Sequence, residues 1–194
     1  LKTAIRSFST ILFVVMPLLN LYAQNGKVNF TDVTEQAGID FRYTFGDFTY
    51  ENILESSGSG ITIFDYNNDE LPDLYMLNGT YLEGISDPDG KVFKNTRNKL
   101  YKNNGDGTFS EVAHKAGVDD PNWSMAAGVI DIDNDGDEDL YLLNYGPNIF
   151  FRNNGDGTFS DITQSLELEG PTLLNGFTKW SVGVAFWDFN SDDR

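Results

Sequence analysis

The chain has 194 residues, is 40% hydrophobic and 14% aromatic with 19 glycines, and carries a formal net charge of −17. This composition supports a β-rich globular domain, or part of a repeat array, and excludes a disordered chain. The acidity excludes nucleic-acid binding through a basic face, and the absence of cysteine excludes disulfides, thiol catalysis and Cys–zinc sites.

Residues 1–23 read as a secretory signal peptide. Lys2 and Arg6 precede an apolar run over 11–19, and a small residue, Ala23, follows it. The run is short and broken by Pro17, so it predicts no membrane span. The mature part, 24–194, is expected to be secreted, periplasmic or at the cell surface. The chain begins with Leu and stops inside a recurring motif, which reads as an N-terminal piece of a longer protein.

Past the signal, Val28-Asn29-Phe30-Thr31-Asp32-Val33-Thr34 predicts a short strand. A unit then recurs: an apolar stretch, an acidic loop and a Leu-Tyr-containing run. Its first copy has Gly60-Ile61-Thr62-Ile63-Phe64 before a loop at 65–73 and Leu74-Tyr75-Met76-Leu77-Asn78 after it. The second has Ala126-Ala127-Gly128-Val129-Ile130, a loop at 131–139 and Leu140-Tyr141-Leu142-Leu143-Asn144. A third opens with Gly183-Val184-Ala185-Phe186-Trp187 and enters a loop at Asp188. The small residues Gly60, Ala126 and Gly183 fit strands crowding near a common axis. Between the loops, Asn103-Asn104-Gly105-Asp106-Gly107-Thr108-Phe109 returns as Asn153-Asn154-Gly155-Asp156-Gly157-Thr158-Phe159. Each run predicts a hairpin turn, with Asp106 and Asp156 as turn residues.

Each repeat thus supplies four short strands, the pattern of a β-propeller blade. The expected fold is all-β, with blades at about 57–113, 123–163 and 180–194 onward. Strand 28–34 would close the ring, and 79–98 would be an inserted surface loop.

The second loop has the strongest chemistry. Six carboxylates fall within residues 131–139, five of them at alternate positions. As a strand they would crowd one face with like charges, and Gly136 weakens a helix. A loop wrapped round a cation, with glycine at the bend, suits calcium. An EF-hand does not fit: its twelfth position needs a bidentate Glu, and Met76 and Leu142 stand there.

The Asp-x-Asp-x-Asp-Gly-x-x-Asp-Leu pattern, with its following Asn-Gly-Asp-Gly-Thr-Phe, resembles the FG-GAP/VCBS repeats of integrin-α-like propellers. Residues 30–39 and 55–60 are similar to the start of the ASPIC/UnbV group, which includes cartilage acidic protein relatives. The resemblance implies Ca2+ held by side chains at loop positions 1, 3, 5 and 9 and a carbonyl at 7. The second loop then offers Asp131, Asp133, Asp135 and Asp139, with the carbonyl of Asp137. The first offers Asp65, Asn67, Asp69 and Asp73, with that of Leu71. The third offers Asp188, Asn190 and Asp192. More carboxylates and Gly136 favour tighter binding at the second loop than at the first, where Glu70 takes the bend.

Catalysis finds little footing. His114 is the only histidine and reads as a solvated side chain, and no nucleophile–base set can be assembled. Trp123 and Trp180 each stand eight residues before a loop aspartate, which points to blade packing with sugar stacking as the rival. Asn29, Asn78 and Asn122 open glycosylation sequons. The leading function is an extracellular calcium-stabilised module recognising a protein or glycan. The alternatives are the scaffold of a secreted enzyme with its catalytic residues elsewhere, and a purely structural surface module.

Overall fold

The computed structural model describes residues 29–57 and 60–190; the expected signal peptide and Asp192 lie outside them. The chain divides into two compact units at Asp32 and Val33. In the first unit, residues 29–32 have no regular structure and are exposed.

The second unit carries two four-stranded antiparallel sheets, each a meander in sequence order. The first comprises β1 (Ile61–Phe64), β2 (Asp73–Met76), β3 (Lys99–Asn103) and β4 (Phe109–Glu111). The second comprises β5 (Ser124–Ile130), β6 (Asp139–Asn144), β7 (Ile149–Asn153) and β8 (Phe159–Asp161). Their registers coincide. Phe64 pairs with Asp73 and Leu74 with Tyr101 in one sheet, as Ile130 pairs with Asp139 and Leu140 with Phe151 in the other. Each acidic loop therefore closes the same first hairpin, and its ninth residue opens the second strand.

Local chemistry accounts for these strands. β-Branched and aromatic residues fill β1 and the start of β7, and the Asn-Gly-Asp-Gly turns place Gly105, Gly107, Gly155 and Gly157 at positive φ. Thr108 donates from both N–H and Oγ1 to Asp106 Oδ1, and Thr158 does the same to Asp156. Both aspartates are turn residues.

The core lies between the sheets. Phe64, Tyr75, Leu77 and Leu100 of the first meet Leu140, Leu142, Phe151 and Phe159 of the second, with Ala113, Ala116 and Val118. Leu142 is fully buried, so Leu142→Ala should cost about 2–5 kcal/mol through lost transfer energy and the cavity left behind. Urea denaturation measures the loss.

Several expectations change. The strand expected over 28–34 is absent from its described part: 29–33 are irregular and a turn begins at Thr34. A lone run needs a hydrogen-bonded neighbour to be a strand. Within the second unit, Ala37 in that turn instead accepts the Phe109 N–H at 2.8 Å, along the outer edge of β4. Residues 183–187 form no strand either, and no described strand pairs with them. Leu173–Leu174 and Phe177–Thr178 pair instead as a small hairpin, turned by Asn175 and Gly176 at positive φ. Segment 79–98 is more than a surface loop: Thr80, Tyr81, Gly90 and Asn98 are buried, and Gly79 N–H donates to Thr44 O. Of the small residues, Gly60 is crowded, a Cβ there lying 2.9 Å from Met125 O, whereas Gly183 faces open space. Gly128 is the closer approach, with Val184 and Phe186 over it.

Candidate metal centre

The two complete loops share one hydrogen-bond scheme. In the second, Asp131 accepts the N–H groups of Asp135 and Gly136 at 3.1 and 2.9 Å. Asp135 accepts that of Asp137 at 2.9 Å. In the first, Asp65 accepts from Asp69 and Glu70 at 3.1 and 2.7 Å, and Asp69 accepts from Leu71 at 3.1 Å. The ninth-position carboxylates each brace two segments. Asp139 accepts from Ile132 N at 2.9 Å and Asn153 N at 2.8 Å; Asp73 accepts from Tyr66 N at 3.2 Å and Asn103 N at 2.7 Å. Folding the loop over its own carboxylates satisfies main-chain donors.

In the second loop, one carboxylate oxygen from each of Asp131, Asp133 and Asp139 lies within 4.8 Å of the others. Three hard oxygens so close suit a divalent cation such as calcium or magnesium. Asp135, expected as a fourth ligand, lies outside that triad, and Asp137 is placed by its N–H bond to Asp135. Burial pushes the Asp139 carboxyl above its ordinary pKa, and the nearby Asp133 and Asp135 charges push the same way. A bound cation reverses that environment.

The first loop differs in three respects. No carboxylate triad gathers there among the described residues. Asn67 Oδ1 is buried without a hydrogen-bond partner, while its Nδ2 donates to Asp69 Oδ2 at 3.0 Å; a buried oxygen with no donor at a ligand position suits a cation. Lys102 Nζ sits on Asp69 Oδ2 at 2.5 Å and holds the Asp69 carboxyl below its ordinary pKa, assisted by Asn67. Its counterpart in the second sheet, Arg152, is exposed and makes no ion pair among the described residues. Loop one thus keeps a cationic side chain where loop two has none.

The bends also differ. Gly136 has φ 91°, whereas Glu70 has φ 65°, a conformation costly for a side chain. Glu70→Gly should stabilise the fold by about 1 kcal/mol by relieving it; thermal unfolding measures the gain. In the third loop, Asn190 N–H donates to Asp188 Oδ1 at 3.1 Å, the first bond of the same scheme, seen as Asn67 N to Asp65 Oδ1 in loop one.

Other singled-out residues resolve plainly. His114 is exposed, its Nδ1 3.1 Å from Asp119 Oδ2. Trp123 is 1% exposed in a cluster with Leu54 and Met125, and Trp180 packs against it, so the Trp123 indole is closed to sugar stacking. Asn78 is buried, its Oδ1 accepting Thr44 N, which closes that sequon.

Sequence reasoning missed Asn103 and Asn153, whose backbone N–H groups hold the ninth-position aspartates. Their identical placement ahead of both hairpin turns was the signal. It also missed Asp120, a buried carboxylate accepting from Asn122 Nδ2 at 2.6 Å and Asn144 Nδ2 at 3.2 Å. Burial raises its pKa, with Asn122, Asn144 and Ser124 offsetting part of the effect. A folded-state pKa raised above the unfolded one favours the fold below the ordinary value of 3.8, and that contribution is lost as pH rises through the folded value. Asp120→Asn should therefore gain on the wild type as pH rises from about 4 to 7. Urea midpoints of the two chains across that range check the sign.

A family model described as FG-GAP-like repeat matches residues 85–142 and again 131–194, together more than half of the chain. Both matches include the second acidic loop, while the first loop lies outside them. No curated protein matches.

Proposed function

Because the chain belongs to the FG-GAP-like repeat family, we propose that its acidic loops are calcium sites bracing a propeller-type recognition or adhesion module on an exported protein. The observation carrying the calcium reading is the convergence of Asp131, Asp133 and Asp139 within 4.8 Å. In loop two these carboxylates would hold the ion, with Asp135 and the Asp137 carbonyl completing the shell. In loop one Asp65, Asn67, Asp69 and Asp73 would do so with the Leu71 carbonyl; in loop three, Asp188, Asn190 and Asp192. The ion's chemistry is structural: it neutralises clustered carboxylates and locks the hairpin between the first two strands of a blade.

Export is proposed from the charged and apolar pattern of residues 1–23, and N-terminal sequencing of secreted protein tests it. Kinship with the ASPIC/UnbV group, from residues 30–39 and 55–60, belongs to the same proposal, as does an extracellular protein or glycan ligand. Among the described residues no helix is long and apolar enough to cross a membrane.

Calcium titration calorimetry tests the site assignment. The second loop is expected to bind more tightly, because Lys102 competes for Asp69 in the first. Asp133→Ala should remove the tighter step and Asp69→Ala the weaker one; equal losses from both variants defeat the ranking.

A further inference from the structure

The two loops are joined to each other, and the joints are side chains at or beside the ligand positions. Asn68 lies between the loop-one ligands Asn67 and Asp69, and its Nδ2 donates to Asp137 Oδ1 at 2.6 Å and Gly136 O at 3.4 Å in loop two. In the other direction, the Glu138 carboxylate of loop two accepts the backbone N–H of Asp65, the first ligand of loop one, at 3.2 Å. A third joint comes from below. Asn153, 2% exposed, donates from Nδ2 to Tyr66 O of loop one at 2.9 Å and to Glu138 O of loop two at 3.2 Å. Its backbone N–H meanwhile holds Asp139.

We propose that Asn68, Glu138 and Asn153 couple the two loops into a single two-ion unit, in which calcium in either loop tightens binding in the other. The inference rests on the calcium reading above. Ordering loop two fixes Gly136, Asp137 and Glu138, and through them the turn at Asn68 and the amide of Asp65. Loop one then has less conformational freedom to lose when its own ion binds, which is positive coupling without a change of shape. Repulsion between the two ions acts the other way. It is reduced because each loop brings more negative charge than one divalent ion cancels, and salt screens what remains over a Debye length of about 8 Å at 0.15 M. Coupling is reciprocal by linkage, so each site reports on the other.

Calcium calorimetry on the purified chain at about 0.15 M salt tests this. Asp133→Ala, which empties loop two, should weaken loop one by about fivefold or more, and Asp69→Ala should weaken loop two by the same factor. In the Asn68→Gly/Glu138→Ala background, each loop should still bind while that factor falls towards one. Asn68→Gly is chosen because Asn68 has φ 55°, which glycine adopts without strain. Glu138→Gln, which keeps an acceptor for the Asp65 N–H, should retain most of the coupling. An affinity of loop one unchanged by Asp133→Ala overturns the coupling and leaves the calcium reading standing. No calcium binding by the wild-type chain overturns both.

Discussion

Chelation of the calcium-loaded chain lowers its melting temperature by about 5–10 °C for each occupied site. A ligand held at a hundredfold its dissociation constant adds about 2.7 kcal/mol, and a chain of this size shifts by about 2–4 °C per kcal/mol. Two variants separate the ion's part from the scaffold's. Asp133 is exposed, so Asp133→Ala should remove the loop-two share of the calcium-dependent shift while leaving the chelated protein near the wild type. Asp139 is 1% exposed and holds both Ile132 and Asn153. In Asp139→Asn the amide faces an N–H donor with its own NH2, leaving a buried donor unpaired at a cost of about 1–3 kcal/mol. That variant should lose the same loop-two share of the shift and also melt lower in chelator. A wild-type melting temperature identical with and without chelator would remove the structural role of the ion.

The second large effect falls on a residue with no ligand role. Asn153→Ala should destabilise the chain by about 2–4 kcal/mol, because the carbonyls of Tyr66 and Glu138 lose a shared buried donor and the Gly155 N–H loses its acceptor. Asn103 occupies the same place in the first sheet, but its Nδ2 donates only to Pro72 O, at a more exposed position. Asn103→Ala should cost about half as much or less. Guanidinium denaturation of the pair decides it: equal losses would mean that bridging the two loops adds nothing to stability.

These contrasts mark where the sequence was readable. Alternating carboxylates and Asn-Gly turns encode their conformations locally, so the all-β sheets and the shared scheme of the two loops follow from the pattern alone. Asn103 and Asn153 are identical letters in identical contexts, and only the neighbouring sheet makes them unequal. The Lys102 ammonium on Asp69 was equally hidden, because it comes from a strand thirty-three residues on. The apolar run at 183–187 reads as a strand, yet strands exist through pairing, and no described strand pairs with it. Segment 79–98 was misjudged because glycine and proline mark turns without saying whether those turns are covered.

The meander order of both sheets bears on how the chain reaches its fold. Within each sheet every strand pairs with the next in sequence, so most of its contacts close short loops, the fast kind in a folding reaction. The joints between sheets span far more chain, 87 residues from Asn153 to Tyr66, and cost more loop-closure entropy. Each acidic loop makes its own hydrogen-bond scheme within one meander, so a cation captured there needs no contact from the other sheet to find its ligands.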